Sequence, residues 1–334
     1  MGTESELLAD VKAPEGLGDR TTAEVSVRRF FGAEAQPASD LLAVEEPLEL
    51  QLMYGPAKDR RVKSISVTMR TPGNDFELVA GFLLTEGIVS DLDQIRHIGY
   101  VVGRSSQSGQ VRDGDEAVDV HDGGEPLPSN TVLPYQPERN VVRVELADDV
   151  TVSLSNLERN FYTTSSCGIC GKASLLALRT VCPPRSVNRF RVDAELLYSL
   201  PEKLRAAQNV FERTGGLHAS GLFDAAGNLH AIREDVGRHN AVDKLLGSEF
   251  LADRTPLRDG LLLLSGRVSF ELLQKALMGG IPMVVAVGAP SSLAVQVAKE
   301  FDISLVGFLR KDHFNVYHGA DRVLGRSGAT KETI

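Results

Sequence analysis

Tryptophan is absent from this sequence of 334 residues, and cysteine occurs only three times. So few cysteines, and an odd number, do not make a disulfide framework and fit a reducing compartment. No apolar run approaches the roughly 20 residues that a membrane-spanning helix needs. The opening MGTESELLADVKAPEGLGDR has no signal-peptide stretch either, so a cytoplasmic protein is expected. Positive charge is also in deficit: 36 Lys and Arg stand against 45 Asp and Glu, a formal net charge of −9. That balance argues against nucleic acid or an anionic membrane as the main partner, while leaving room for a locally basic pocket. What the chain has is 42% hydrophobic residues and enough length for one large or two modest domains. Neither disulfides nor metals are then needed to hold its core.

Large apolar residues are scarce in residues 1–22, in an acidic stretch over 103–129 and in the tail 326–334, and these are expected to be disordered. Between them, alternation marks half-buried strands at Leu48, Leu50, Leu52 and Tyr54, at Ile65, Val67 and Met69, and at Val142, Val144 and Leu146. Asn74-Asp75 offers a cap to a helix bearing Phe76, Val79, Ala80 and Leu83, with Gly87 as its stop. Residues 23–155 therefore read as a small β-rich α+β domain. Over 156–325 the pattern predicts a helix after Cys170 and helical segments near 193–213 interrupted at Pro201. A hairpin from His218 to Arg233 turns at Ala226-Gly227-Asn228, and a short helix covers 238–246. Two strand-to-helix units, LLLLSGRVSFELLQKALMGG and IPMVVAVGAPSSLAVQVAKEF, and a closing strand DISLVGFL complete the series. That order predicts a three-layer α/β sandwich with a partly parallel sheet.

The stretch Ser166-Cys167-Gly168-Ile169-Cys170-Gly171-Lys172 carries the most chemistry. A Cys-x-x-Cys at a helix entrance sets the first sulfur near unpaired N–H groups and the positive end of the helix dipole, which favour a thiolate. Redox or sulfur-transfer chemistry follows from that. A zinc site and a plain tight turn remain alternatives, although zinc would have to draw ligands from Cys182 and a distant histidine. Cys182 itself reads as a small buried hydrophobe. Asp235, His239 and Asp243 are spaced to share one helix face, which together with Arg238 suggests a polar pocket. Ser265-Gly266-Arg267 and Gly288-Ala289-Pro290-Ser291 each follow an apolar strand and lead into a helix. Small residues there let an anion reach helix N-termini, and Arg267 can pair with a phosphate. Phe270, Leu273 and Leu277 read as core.

These constellations resemble those of the formate dehydrogenase accessory sulfurtransferase family, FdhD. The resemblance runs from about residue 41 to 324, the acidic stretch excepted. TPGNDFELVAGFLLTEGI, SCGICG, TGGLHASGLF, EDVGRHNAVDKLLG, SGRVSFELLQKA and LVGFLRKDHFNVYH carry it. It implies a sulfur carrier between a cysteine desulfurase and the molybdenum (or tungsten) cofactor destined for the formate dehydrogenase apoenzyme. Cys167 would hold the persulfide, and Cys170 would assist or resolve it. The acceptor would be Mo-bis(molybdopterin guanine dinucleotide), its guanine nucleotide lying in the C-terminal block. The family's site maps onto Phe308, Leu309, Arg310, Lys311, Asp312 and His313, where Lys311-Asp312 replaces a Pro-Gly pair of some members. Arg238, His239, Ser265, Gly266 and Arg267 would complete it, with Arg238, Arg267 and Arg310 facing the pyrophosphates. A homodimer without a resident metal is also implied, as is similarity to the cytidine deaminase fold. Deaminases carry zinc-binding cysteines where this chain has Ser265 to Ser269, which include neither Cys nor His. The rival readings are a non-catalytic cofactor chaperone and a zinc-dependent hydrolase.

Overall fold

The computed structural model describes residues 20–101, 139–150, 152, 178, 182 and 187–325. The expectations for the N-terminal 19 residues, the acidic stretch, the Cys167–Cys170 pair and the tail lie outside the described residues.

Strand β1 (Thr22–Phe31) and β2 (Glu34–Ala43) form an antiparallel hairpin that the sequence pattern did not mark. Most of its residues are exposed, so its alternation lacks the large apolar side chains that identify a half-buried strand. β3 (Glu46–Tyr54), β4 (Arg61–Arg70), β5 (Ile95–Tyr100) and β6 (Val141–Leu146) build a second sheet in the order β4-β3-β6-β5. Leu48, Leu50 and Leu52 and the alternate residues of β6 point to one face, as the pattern predicts, and are buried with helix α1 (Asp75–Thr85).

In β4 the register against β3 shifts, with Leu50 opposite Ser66 but Gln51 opposite Ser64. Ile65 is the extra residue of this bulge and stays buried, whereas Val67 and Met69 turn outward and are 65% and 48% exposed. The predicted single face for Ile65, Val67 and Met69 is therefore corrected, because one inserted residue inverts the side-chain parity of everything after it. The same inversion turns Thr68 and Arg70 inward, where both are used below.

Helix α2 (Ala194–Ala206) contains Pro201 in its interior, and the break expected there falls instead at Ala207, before α3 (Asn209–Thr214). Leu197, Leu200 and Leu204 bury one face of α2, and that burial outweighs the single backbone bond that the proline cannot donate. A six-stranded sheet follows in the order β13-β12-β11-β10-β8-β9. It is made of β8 (His218–Phe223), β9 (Leu229–Asp235), β10 (Leu261–Leu264), β11 (Met283–Ala286), β12 (Ser304–Gly307) and β13 (Asn315–His318). β10, β11 and β12 are parallel and their neighbours antiparallel. Helices α4 (Arg238–Leu251), α5 (Phe270–Met278) and α6 (Ser292–Glu300) share one core cluster with the sheet residues Leu222, Leu262 and Val284. The alternate sheet residues Phe223, Leu261 and Val285 share a second with α2. Short strands β7 (Val192–Asp193) and β14 (Val323–Leu324) pair in parallel beside them. Cys182 packs against the first of these clusters. No helix among the described residues is long and apolar enough to cross a membrane.

Candidate functional site

Helix α4 is the hub. It is longer than predicted, running to Leu251, and Asp235 is the last residue of β9 rather than part of it. The shared helix face expected for Asp235, His239 and Asp243 is thus corrected, since the turn at Val236-Gly237 sets Asp235 before the helix begins. Asp235 is instead a buried anchor. It accepts bonds from Gly237 N at 2.8 Å, Asn240 Nδ2 at 3.0 Å and Thr71 N at 3.1 Å, and pairs with Lys244 Nζ at 2.7 Å. Lys244 also donates to Thr71 O, and Asn240 to Met69 O, both on the strand inverted by the bulge or just after it. Thr68, turned inward by that bulge, donates to Asn240 Oδ1 at 3.1 Å.

A second buried group lies one turn further along α4. Asp243 accepts from Thr85 Oγ1 at 2.8 Å and pairs with Lys275 Nζ at 3.0 Å, while Glu86 stands 3.4 Å from the same ammonium. Two carboxylates thus converge on one cation. Burial pushes the Asp243 carboxyl up to about 6 against the opposing pull of Lys275 and Thr85. The Lys275 ammonium, which burial alone would disfavour, is held charged by Asp243 and Glu86. An acid whose folded value is raised binds more protons in the native state, so its contribution to stability declines as pH rises from about 4 to about 6. Asp243→Asn should remove that decline. Denaturant unfolding of both proteins at several pH values is expected to show the variant gaining on the wild type by on the order of 1–3 kcal/mol across this window. A pH-independent difference would contradict it.

The head of α4 faces a different environment. Gly237 caps it without a side-chain bond, so Arg238 and His239 sit beside unpaired backbone N–H groups. His239 Nε2 is 3.4 Å from the Oγ of Ser269, the cap of α5. Burial first, then the Arg238 and Lys275 charges, hold the His239 imidazole down at about 4, with Glu271 opposing them. His218, at the start of β8, is lowered by burial and by Arg238. The Glu271 carboxyl, which burial would raise, is held below its ordinary value by the Ser269 hydroxyl and by His239 and Arg238. Near neutral pH both imidazoles are uncharged, and the Arg238 guanidinium supplies the local positive charge. Its Nε is buried and bonded to nothing among the described residues.

From there the carboxyl ends of three parallel strands run as a continuous rim. A Cβ on Gly266 would stand 3.4 Å from the His218 ring, and one on Gly288 would lie 2.6 Å from Gly266 O. Gly288 N bonds to Gly266 O, and Phe308 N to Gly288 O. Phe308 adopts a left-handed backbone (φ 53) that an aromatic residue rarely takes, and its ring is partly exposed. Ser265 Oγ is occupied, accepting from Ala219 N, while Arg267 is exposed.

The structure thus brings Arg238, His239, Ser265 and Gly266 together, and Phe308 joins them through the rim. The other residues of the 308–313 stretch have partners of their own. Leu309 is buried in the core of the opposite sheet face. Arg310 turns back on the carbonyls of Val287 and Leu309, Lys311 pairs with Glu202 of α2, and Asp312 pairs with His313. His218, Ser269 and Glu271 were missed as site residues. His218 follows a Gly-Gly pair at a strand start, a weak signal, and Glu271 gives none in the sequence. Among the described residues no group of three or more His, Cys, Asp or Glu could hold a metal ion.

Residues 43–324 match the model of the FdhD/NarQ family. The chain belongs to that family. Its relatives include proteins named sulfur carrier protein FdhD. The one from Streptomyces avermitilis is 46% identical over 93% of this chain and 99% of its own length. The one from Streptomyces coelicolor is 47% identical over 92% and 98%. The one from Mycobacterium tuberculosis is 45% identical over 90% and 98%. A crystal structure from Desulfotalea psychrophila, of a protein described as a formate dehydrogenase accessory protein, covers 91% of this chain and all of its own with a TM-score of 0.63. At 21% identity that likeness speaks for the fold.

Proposed function

We infer that this protein is a sulfur carrier in formate dehydrogenase maturation, acting as a sulfurtransferase through a cysteine persulfide. Family membership over most of the chain carries the reading, together with the Cys-x-x-Cys pair at 167 and 170. A Cys167 thiolate attacks the terminal sulfur of a persulfide on a cysteine desulfurase. The donor S–S bond breaks, a new one forms on Cys167, and the donor cysteine leaves as a thiolate. Once the acceptor is bound, attack by Cys170 on the inner sulfur of Cys167 releases the outer sulfur to it at the hydrosulfide level, the dithiol supplying two electrons and ending as a disulfide. The acceptor is the molybdenum cofactor, Mo-bis(molybdopterin guanine dinucleotide), taken as a substrate before its insertion into the apoenzyme.

For the acceptor's anionic groups the pocket at α4 has suitable chemistry. Arg238 offers a buried, unpartnered Nε, the two imidazoles add neutral hydrogen-bonding groups, and glycine at 266 and 288 leaves the rim open to a close approach. Phe308 adds a partly exposed ring at the far end of the rim. Of the six residues in the 308–313 stretch, this reading keeps Phe308 and the backbone of its turn, and of the three arginines expected to face the pyrophosphates it gives Arg238 the leading part.

The test incubates the protein with a cysteine desulfurase and cysteine and measures intact mass. The expected result is a gain of one sulfur atom that persists in Cys170→Ala and is lost in Cys167→Ala. A wild-type protein that gains no sulfur overturns the reading and favours the non-catalytic chaperone.

A further inference from the structure

Thr71 follows β4 directly and is buried, and all three of its polar groups are committed to the segment around the head of α4. Its N–H donates to Asp235 Oδ2 at 3.1 Å, its Oγ1 accepts from Val236 N at 3.2 Å, and its carbonyl accepts from Lys244 Nζ at 2.8 Å. Asp235 and Val236 open the turn that delivers Arg238, and Lys244 lies further along the helix that follows.

What fixes Thr71 comes from the other side. Its neighbour Arg70, turned inward by the β4 bulge, is fully buried and grips Asp75 of α1 with two bonds, Nε to Oδ1 at 3.0 Å and Nη2 to Oδ2 at 2.9 Å. Tyr100 of β5 donates to the same carboxylate at 3.0 Å, and Arg70 also reaches Asn140 Oδ1 at 3.3 Å, just before β6. A bidentate, charge-assisted pair of this kind holds a strand end in one place. The sheet and helix of the N-terminal unit therefore set where Thr71 stands, and Thr71 meets the turn from there.

The turn has little slack of its own. The Asp235 carboxylate takes the N–H of Gly237 at 2.8 Å, and a Cβ on Gly237 would come within 3.0 Å of Asn240 Nδ2. With the Val236 N–H taken by the Thr71 hydroxyl, both donors of the turn are used, and those of the helix head are the first left unpaired. Removing that hydroxyl strands the Val236 N–H beside a buried side chain, a loss that the chain relieves by shifting the turn. Arg238 is only two residues on.

We propose that Thr71 is a positioning residue for the pocket: acting through the turn of Asp235 to Gly237, it aims Arg238, so the N-terminal sheet is a working part of the acceptor site. The proposal rests on the function above only for its choice of probe, guanosine diphosphate.

Calorimetric titration of the full chain with guanosine diphosphate, and NMR of the Arg238 Nε–H, test it. That N–H is buried in the wild type, so its signal should exchange slowly with water. Thr71→Val removes the hydroxyl at nearly constant shape, and should weaken nucleotide binding by about tenfold and speed that exchange. Thr71→Ser keeps the oxygen and should restore both. Thr85→Val removes another buried hydroxyl, bonded to Asp243 further along α4, and should leave both unchanged. In the wild type the Val236 amide should also resist deuterium exchange, a measurement that needs no variant. A freely exchanging Val236 amide overturns the proposal. So does a Thr71→Val protein that keeps both its affinity and its slow Arg238 signal, or one that loses no more than Thr85→Val. A wild type that binds no guanosine diphosphate overturns the assignment of the pocket to the acceptor instead, and the Arg238 signal then decides on Thr71.

Discussion

Gly81→Ala and Gly247→Ala are each expected to destabilise the protein by about 3 kcal/mol or more, a fall in melting temperature of about 6–12 °C. Helices α1 and α4 cross at these two glycines with their backbones in contact. A Cβ on Gly81 would lie 1.9 Å from Asp243 O, and one on Gly247 would lie 1.8 Å from Glu77 O. Both obstacles are backbone carbonyls within helices, so neither can rotate away, and the helices would have to separate. Separation would also stretch Asp243 away from Thr85, which bonds to it across the same contact. Gly216→Ala is the control, because its Cβ would meet Ala43 Cβ at 3.6 Å and Thr214 O and Oγ1 at 3.9 Å, all ordinary contacts. Thermal melts in which Gly81→Ala behaves like Gly216→Ala would show that the close crossing is not required.

Lys244→Met is expected to cost about 3–5 kcal/mol, because it strands the Asp235 carboxylate in the interior. Asp235 is fully buried, and Lys244 is the cation that neutralises it, their side chains 0% and 2% exposed. The charge pair is not in itself a large source of stability, since removing both members removes both desolvation costs. Asp235→Asn combined with Lys244→Met should therefore be less destabilised than Lys244→Met alone, with the Asn side chain retaining an acceptor for Gly237 N. The pocket provides a second measure. Asp235 holds the turn that aims Arg238, so Asp235→Ala should also weaken binding of a nucleoside diphosphate under conditions where the protein is still folded. Strictly additive costs in the double variant, measured by denaturant unfolding, would contradict the assignment.

The sequence made the chemistry of the motif EDVGRHNAVDK visible but not its division of labour. By spacing, Asp235, His239 and Asp243 look equivalent. In the fold the two aspartates are buried struts toward Thr71 and Thr85, while His239 at the head of the helix meets Ser269. The partners that make the difference lie more than 150 residues away along the chain, and no local pattern encodes them. Lys275 illustrates the same point. It sits on an otherwise amphipathic helix like any solvated lysine, yet it is buried against two carboxylates from other elements.

What the sequence determined by itself is what short-range physics can fix. Alternation of Leu48, Leu50 and Leu52 names a buried strand face, and the apolar runs before Ser265 and Gly288 name central strands of a parallel set. The small residues after them name the open rim, and the motifs name the family. Only the tertiary structure decided which side of β4 faces inward, because a bulge of one residue inverts parity and leaves no mark in the hydrophobic pattern. It alone decided that α2 runs through Pro201, since the burial of three leucines against a distant sheet outweighs one missing bond. It alone also showed that Arg310 bonds to the carbonyls of Val287 and Leu309 while the Nε of Arg238 is buried without a partner among the described residues, since those neighbours come from other elements of the fold.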